Sequence, residues 1–239
     1  MEGAHSERDD SMDSSAQRRQ LVIPGDLIET HGLKPGLGTY VEASNVIAAQ
    51  LGIRTERDGY VDIIPLGGRY IPQTDDEVIG QIVDVGPSHW LIDLNAPYPA
   101  PLHATESPWR VEFGETSKFM DIGDACVVKV LSVDETKRVQ VTMRDQGLRR
   151  LSGGQIVEIS HSKVPRVIGK GGSMITMIMK YTRCQTFVGQ NGRVWIDGEM
   201  DDMLHAVRAI RMIDEHAQAV GLTEAVKAYL EGAYGTVGG

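Results

Sequence analysis

The sequence predicts a multidomain β plus α/β protein, and three observations predict it. Short β-prone runs cut by Gly, Pro and Asp fill the chain to about residue 148. Beyond that point strands alternate with amphipathic helical stretches. Aromatic residues are only 5% of the 239 while Gly counts 27, a mix that suits small turn-rich modules better than one large core. Two to three such modules fit the length.

Residues 1–20 hold almost nothing to bury and are expected to form a disordered tail. From Leu21 the runs LVI, LIET, TYVEA, VIAAQLGI and YVDII are separated by Pro24-Gly25-Asp26, Ser44-Asn45 and Asp58-Gly59. Tight turns between β-prone runs predict antiparallel strands, so 21–72 reads as a small β-barrel or sandwich that ends in the hinge PLGGRYIP (65–72). No catalytic constellation lies in it, so docking is its expected role. Residues 73–148 supply VIGQIVDV, HWLIDL, DACVVKVLSV and RVQVTM, with a Pro-rich excursion from Asn95 to Gly123 and a turn at Asp134-Glu135-Thr136-Lys137. Four or five strands with long connections match a five-stranded OB barrel, a fold whose strand face and loops meet single-stranded nucleic acid. Residues 151–231 then read strand, helix, helix, strand, strand, helix. In that order TFVGQ and RVWI are paired through a two-residue turn at Asn191-Gly192, and Asp201 or Asp202 caps the long helix. TEAVKAYLEG adds one more short helix, and 232–239 is expected to be a flexible end.

The formal charge is −9, which excludes a uniformly basic nucleic-acid coat. The window 148–198 nevertheless holds eight cations and two anions, whereas 75–147 is net −7. A polyanion held by side-chain charge belongs in the basic window. Cys126 and Cys184 form no C-x-x-C pair and have no histidine at zinc spacing, so two buried thiols are expected, with no metal or cofactor. No apolar stretch approaches the length of a membrane span, and the N-terminus lacks an apolar signal core, so a cytoplasmic protein is expected.

The sharpest feature is Arg166-Val167-Ile168-Gly169-Lys170-Gly171-Gly172-Ser173. A Gly-x-x-Gly loop here joins two helices. Glycine at its corners lets the backbone approach sugar-phosphate, the following helix turns its free N–H groups to a phosphate, and Lys170 carries a point charge at the tip. Ile168 helps build the groove for unpaired bases. This is the KH mode of clamping about four nucleotides, and the strand–helix order makes it a type I KH domain. A nucleotide P-loop is disfavoured because Gly171, not Ser or Thr, follows Gly169-Lys170.

LVIPGDLI, GLGTYVEA, YIPQTDDEVIGQIVDV, HWLIDLNAPYPAPL, CVVKVLSVD and KVPRVIGKGGSMI with VGQNGRVWIDG, in this order, resemble the RNA-binding cap subunits of the archaeal exosome, of the ribosomal RNA-processing protein 4 type. The resemblance covers about 21–218. It implies an N-terminal domain that docks, an S1-type OB barrel and a KH domain. It also implies a chain without an active site of its own, an accessory subunit of a phosphorolytic 3′-to-5′ exoribonuclease. Three copies would sit with other cap proteins on a hexameric ring of two RNase-PH-like subunits and feed single-stranded, A-rich RNA to it. Of the surface aromatics usual in S1-type barrels, the stretch Pro87–Ile92 keeps only His89 and Trp90, and His103 matches the histidine expected after the next strand. RNA-binding candidates are therefore Trp90, Lys118 and Arg144 on the barrel, beside Arg166, Ile168, Gly169, Lys170, Gly171, Gly172 and Ser173. Lys129, Lys137 and Arg138 are further phosphate contacts to consider.

Two other readings remain. An S1–KH transcription or translation factor would bind RNA without an exonuclease partner, but such factors carry KH modules in tandem and one loop of this kind is present. A two-metal nuclease would need Asp75, Asp76 and Glu77, or Asp201 and Asp202, to converge, and adjacent acids point different ways on a strand or helix.

Overall fold

The computed structural model describes residues 20–235, so 1–19 of the first expected tail and 236–239 of the second lie outside the described residues. The chain divides into two compact units at Gly67/Gly68, inside the 65–72 segment.

In the first unit, β1 (Gln20–Val22), β2 (Lys34–Pro35), β3 (Thr39–Glu42), β4 (Asn45–Ala48), β5 (Gly52–Arg57) and β6 (Tyr60–Pro65) form two sheets. The larger has the order β1-β5-β6-β2, and β3 pairs with β4. Asp58-Gly59 makes the expected hairpin turn, with φ of 51° and 84°. The β3–β4 turn falls one residue earlier than expected. Ala43 and Ser44 take the positive φ values, 45° and 70°, and Asn45 already pairs with Glu42. The expectation of wholly antiparallel pairing needs correction, because β2 joins β6 in parallel. A long connection through 36–59 lets the chain return in the same direction. Val22, Ile28, Ala48, Val61 and Ile63 form a small core on one side of the larger sheet.

The second unit opens with β7 (Glu77–Val85), β8 (His89–Asp93), β9 (Ala100–His103), β10 (Ala125–Val133), β11 (Val139–Thr142) and β12 (Arg149–Leu151). The order β11-β10-β7-β8-β9 curls until Glu106 O, just past β9, accepts the Met143 N–H at 2.8 Å. Register shifts at Ile82/Asp84 and Val130/Ser132 supply the bends a nearly closed barrel needs. These five strands match the expected barrel, and β12 adds a short sixth against the start of β10.

The KH part follows: β13 (Gln155–Glu158), α1 (Val164–Ile168), α2 (Ser173–Thr182), β14 (Gln185–Val188), β15 (Arg193–Asp197), α3 (Met200–Glu215) and α4 (Leu222–Tyr234). Its antiparallel sheet has the order β13-β15-β14. Met203, Ala206, Ile210 and Ile213 give α3 an apolar stripe that meets Ile178, Val194 and Ile196. Neither Asp201 nor Asp202 caps α3. Glu199 holds the cap position and both aspartates lie in the first turn, where the helix dipole favours them. The segment from 232 is helical as far as Tyr234.

The barrel core and the KH core meet at β15. All of β15 but its last residue is buried. Val194 and Ile196 face the helices, while Trp195 belongs to the barrel cluster with Phe187 packed beside it. The turn before β15 plugs into the barrel. Asn191 Nδ2 donates to the carbonyls of Ile79 and Leu94, both at 2.8 Å, and its Oδ1 accepts the Ile79 N–H at 3.3 Å. Arg193 bridges Glu158 and Asp93 from a side chain only 8% exposed. This use of Asn191 also changes the expected turn. Gly189 N donates to Arg193 O, and φ is positive at Gly192 but not at Asn191, so the loop is a three-residue turn rather than a two-residue one.

Candidate nucleic-acid interface

Helix α1 is short because Ile168 runs into Gly169, whose φ of 75° and ψ of 174° no helix can accommodate. A Cβ there would lie 2.7 Å from the Met174 nitrogen, so only glycine lets the two helices approach this closely. Lys170 and Gly171 form the exposed tip, with Gly171 at φ 60° and open space around it. Gly172, also left-handed, occupies the cap position of α2, and no side chain caps that helix. The Ser173 N–H donates to Lys170 O, so the N–H groups that follow it are the ones left at the mouth of a ten-residue helix whose dipole favours an anion. Arg166, Lys170 and Ser173 are exposed, and Ile168 is half-buried against the helical core. The loop candidates thus form one continuous surface.

The barrel candidates do not. Trp90 needs correction: it is 0% exposed, and its Nε1 donates to Met120 O at 3.0 Å inside the barrel core. A strand whose alternate residues fill a barrel points every second side chain inward, and Trp90 takes the inward place. Trp90→Phe is expected to lower stability by about 1–3 kcal/mol, through the unpaired Met120 carbonyl and lost packing, and to leave RNA affinity within about twofold. Urea melts alongside RNA titration check both halves. Its neighbours point the other way. His89 and His103 are cross-strand partners on β8 and β9 with ring centroids 6.1 Å apart.

Lys118, in the connection between β9 and β10, pairs with Glu115. Lys129 sits between Asp75 at 2.9 Å and Asp145 at 3.1 Å, and hydrogen bonding to Asp75 and Asp145 raises its pKa. It is taken up within the barrel rather than offered to phosphate. Arg144 is exposed just after β11, and Lys137 and Arg138 are exposed at the β10–β11 turn. Arg149 lies over the Trp195 ring, 5.6 Å from its centroid. Part of the basic window therefore serves packing.

Three of the five acidic candidates have structural partners. Asp76 accepts from the Tyr70 hydroxyl, Asp75 pairs with Lys129, and Asp202 accepts from the Tyr234 hydroxyl at 2.7 Å. Both cysteines are buried and free, and burial pushes the Cys126 thiol up to about 12. No described helix is long and apolar enough to cross a membrane. The contribution of Asn191 and Arg193 escapes sequence reasoning. The dipeptide Asn191-Gly192 marks a turn, and nothing local says that the amide enters the neighbouring barrel.

Known proteins repeat this arrangement. A family model described as the exosome RNA binding protein RRP4 N-terminal domain matches residues 19–67, and one described as a KH domain matches 154–202. Over 213 residues the chain is 44% identical to exosome complex component Rrp4 of Methanosarcina mazei, an alignment spanning 89% of this chain and 82% of that protein. The corresponding protein of Picrophilus torridus is 41% identical, with 89% and 93% covered. Among solved structures, the crystal structure of a protein assigned as an exosome complex RNA-binding protein superposes with a TM-score of 0.63. It is 37% identical and covers 69% of this chain and 97% of its own.

Proposed function

Because the chain belongs to the Rrp4 family of exosome components, we propose that it is a non-catalytic RNA-binding cap subunit of an archaeal exosome. It captures single-stranded, A-rich RNA and guides the 3′ end into a ring of RNase-PH-like subunits. The observation that carries this reading is the loop from Gly169 to Gly172. Its backbone is bare, Lys170 stands at the tip, and the uncapped end of α2 lies behind it. Phosphates of an unpaired strand meet the N–H groups and the ammonium, and bases lie along Ile168. Arg166 and Ser173 flank the clamp.

The barrel contributes more weakly. Its own segment is net −7. His89 and His103 offer a stacking surface where Trp90 does not, and Arg144 and Lys118 add charge at the rim. Three copies around one pore would raise the local RNA concentration without any single contact being strong.

The test is to mix the full chain with the two RNase-PH-like subunits of the same organism, separate the mixture by size, and supply poly(A) with phosphate. Co-elution and faster phosphorolysis than by the ring alone are expected, with no degradation by the chain alone. Degradation of RNA by the isolated chain with magnesium would overturn the non-catalytic reading. Co-purification with RNA polymerase instead of the ring would favour the transcription-factor reading.

A further inference from the structure

The connection from β9 to β10 is anchored on both sides of one exposed aromatic residue. Trp109 and Val111 pack against the barrel core, Trp109 stacks on Phe119 with ring centroids 5.5 Å apart, and Met120 is buried. Phe113 lies between these anchors and is 83% exposed, while Phe119 and Phe187 are half-buried against the core. A phenyl group left in water forfeits the burial that such a residue normally supplies.

A rigid turn displays it. The Glu115 N–H closes the turn Glu112–Glu115 on Glu112 O at 3.0 Å. Gly114 takes φ of 86° at the third position, where a type II turn calls for glycine. Two bonds tie this turn to the corner between β7 and β8. The Gly114 N–H donates to Pro87 O at 2.8 Å, and the Thr116 hydroxyl donates to Gly86 O at 2.6 Å. His89 lies against the same corner, since a Cβ on Gly86 would come within 2.6 Å of its imidazole. His103 is the cross-strand neighbour of His89, and the Ala104 N–H donates to Ser88 O at 2.9 Å. Phe113, His89 and His103 therefore gather at one end of the barrel. β8 runs from His89 at this end to Asp93, which Arg193 of the KH domain holds, so the group stands away from that domain.

We propose that Phe113 is a base-stacking residue, on which a nucleotide of single-stranded RNA outside the stretch held by the glycine loop comes to rest. This rests on the RNA-binding reading above and deepens it by naming a second, distant point of contact. A base needs one flat face, whereas an aromatic anchor for a protein sits inside a wider protected patch. The turn's other exposed positions beside Phe113 are an acid, Glu112, and the bare backbone of Gly114, and Glu115 is engaged by Lys118. Such surroundings hold phosphate off and leave the π face as the point of contact. Every base has a π face, so Phe113 adds affinity and fixes where the strand lies on the barrel without reading base edges.

Fluorescence anisotropy is measured for the full chain with labelled oligo(A) of about 4 and about 16 nucleotides, lengths that fill a KH clamp alone and a clamp with an OB barrel. Wild type is compared with Phe113→Ala, Phe113→Leu and Phe113→Tyr. On the longer strand Phe113→Ala is expected to bind about 5- to 50-fold more weakly, and Phe113→Tyr within about twofold of wild type. Phe113→Leu, apolar but without a π face, is expected to recover little of the loss. On the short strand all four are expected to agree within about twofold, because the KH clamp alone is filled. The salt slope on the longer strand is expected to stay unchanged, since no phosphate contact is lost. Lys170→Asp with Gly171→Asp, by contrast, weakens both lengths. If alanine disturbs the fold, judged by circular dichroism, the leucine and tyrosine variants decide.

Binding of the longer strand by Phe113→Ala within about twofold of wild type overturns the proposal. So does a leucine variant that binds like wild type, because apolar bulk then suffices. A loss equal on both lengths overturns it as well, by moving the effect to the KH clamp or the fold. Intact RNA binding with lost co-elution on the RNase-PH-like subunits assigns Phe113 to a protein contact instead. A wild-type chain that binds neither strand removes the RNA reading itself, and this role with it.

Discussion

Replacing Lys170 and Gly171 together by aspartate weakens single-stranded RNA binding by the isolated protein about 10- to 100-fold. One charge-assisted contact contributes about 1.5–3 kcal/mol, and each 1.4 kcal/mol is a factor of ten. The new carboxylates also repel phosphate at the mouth of α2. The positions matter. At Gly169 an added Cβ meets backbone 2.7 Å away, so a substitution there reports on helix packing as much as on RNA. At Gly171 the space is open, and aspartate tolerates a φ of 60° at a cost of about 1–2 kcal/mol, well inside the stability of a folded domain. Loss of one phosphate contact also makes the slope of log affinity against log salt shallower by about 0.7. Fluorescence anisotropy with labelled oligo(A) at three salt concentrations reads both effects. Unchanged affinity with unchanged slope would remove the loop from RNA recognition.

The second large effect is on stability. Asn191→Ala leaves the Ile79 N–H and the carbonyls of Ile79 and Leu94 without their partner in a buried site. Each unpaired buried group costs about 1–3 kcal/mol, and the three together are expected to cost about 3–5 kcal/mol because some relaxation follows. For a unit of this size that lowers the melting temperature on the order of 10 °C. Gln190→Ala is the control. Its side chain is exposed, and the bond from its backbone N–H to Glu77 O survives, so it stays within about 0.5 kcal/mol of wild type. Differential scanning calorimetry of the three proteins separates the outcomes. An Asn191→Ala protein that melts with the wild type would show that the barrel and KH domain do not depend on this amide.

Local chemistry made much of the molecule readable in advance. The glycine loop, the Asp58-Gly59 hairpin and the apolar stripe of α3 are each specified by residues within a few positions of one another. The expectations that changed depend on distant partners. The outward or inward sense of Trp90 turns on a one-residue choice of strand register, which only the closed barrel fixes. The parallel pairing of β2 with β6 follows from where a long connection returns. Asn191 has the right chemistry for a turn, yet its amide bonds to residues 97 and 112 positions away. Lys129 reads as a free cation until Asp75 and Asp145, one on either side of it in sequence, come to lie beside it.

A strand buried on both sides leaves no joint between the barrel and the module that carries the glycine loop. With β15 inside two cores at once, the span from loop to barrel acts as a fixed ruler. A ribonucleotide chain held at both ends would be measured out in a set number of units, and slack could come only from the polymer itself.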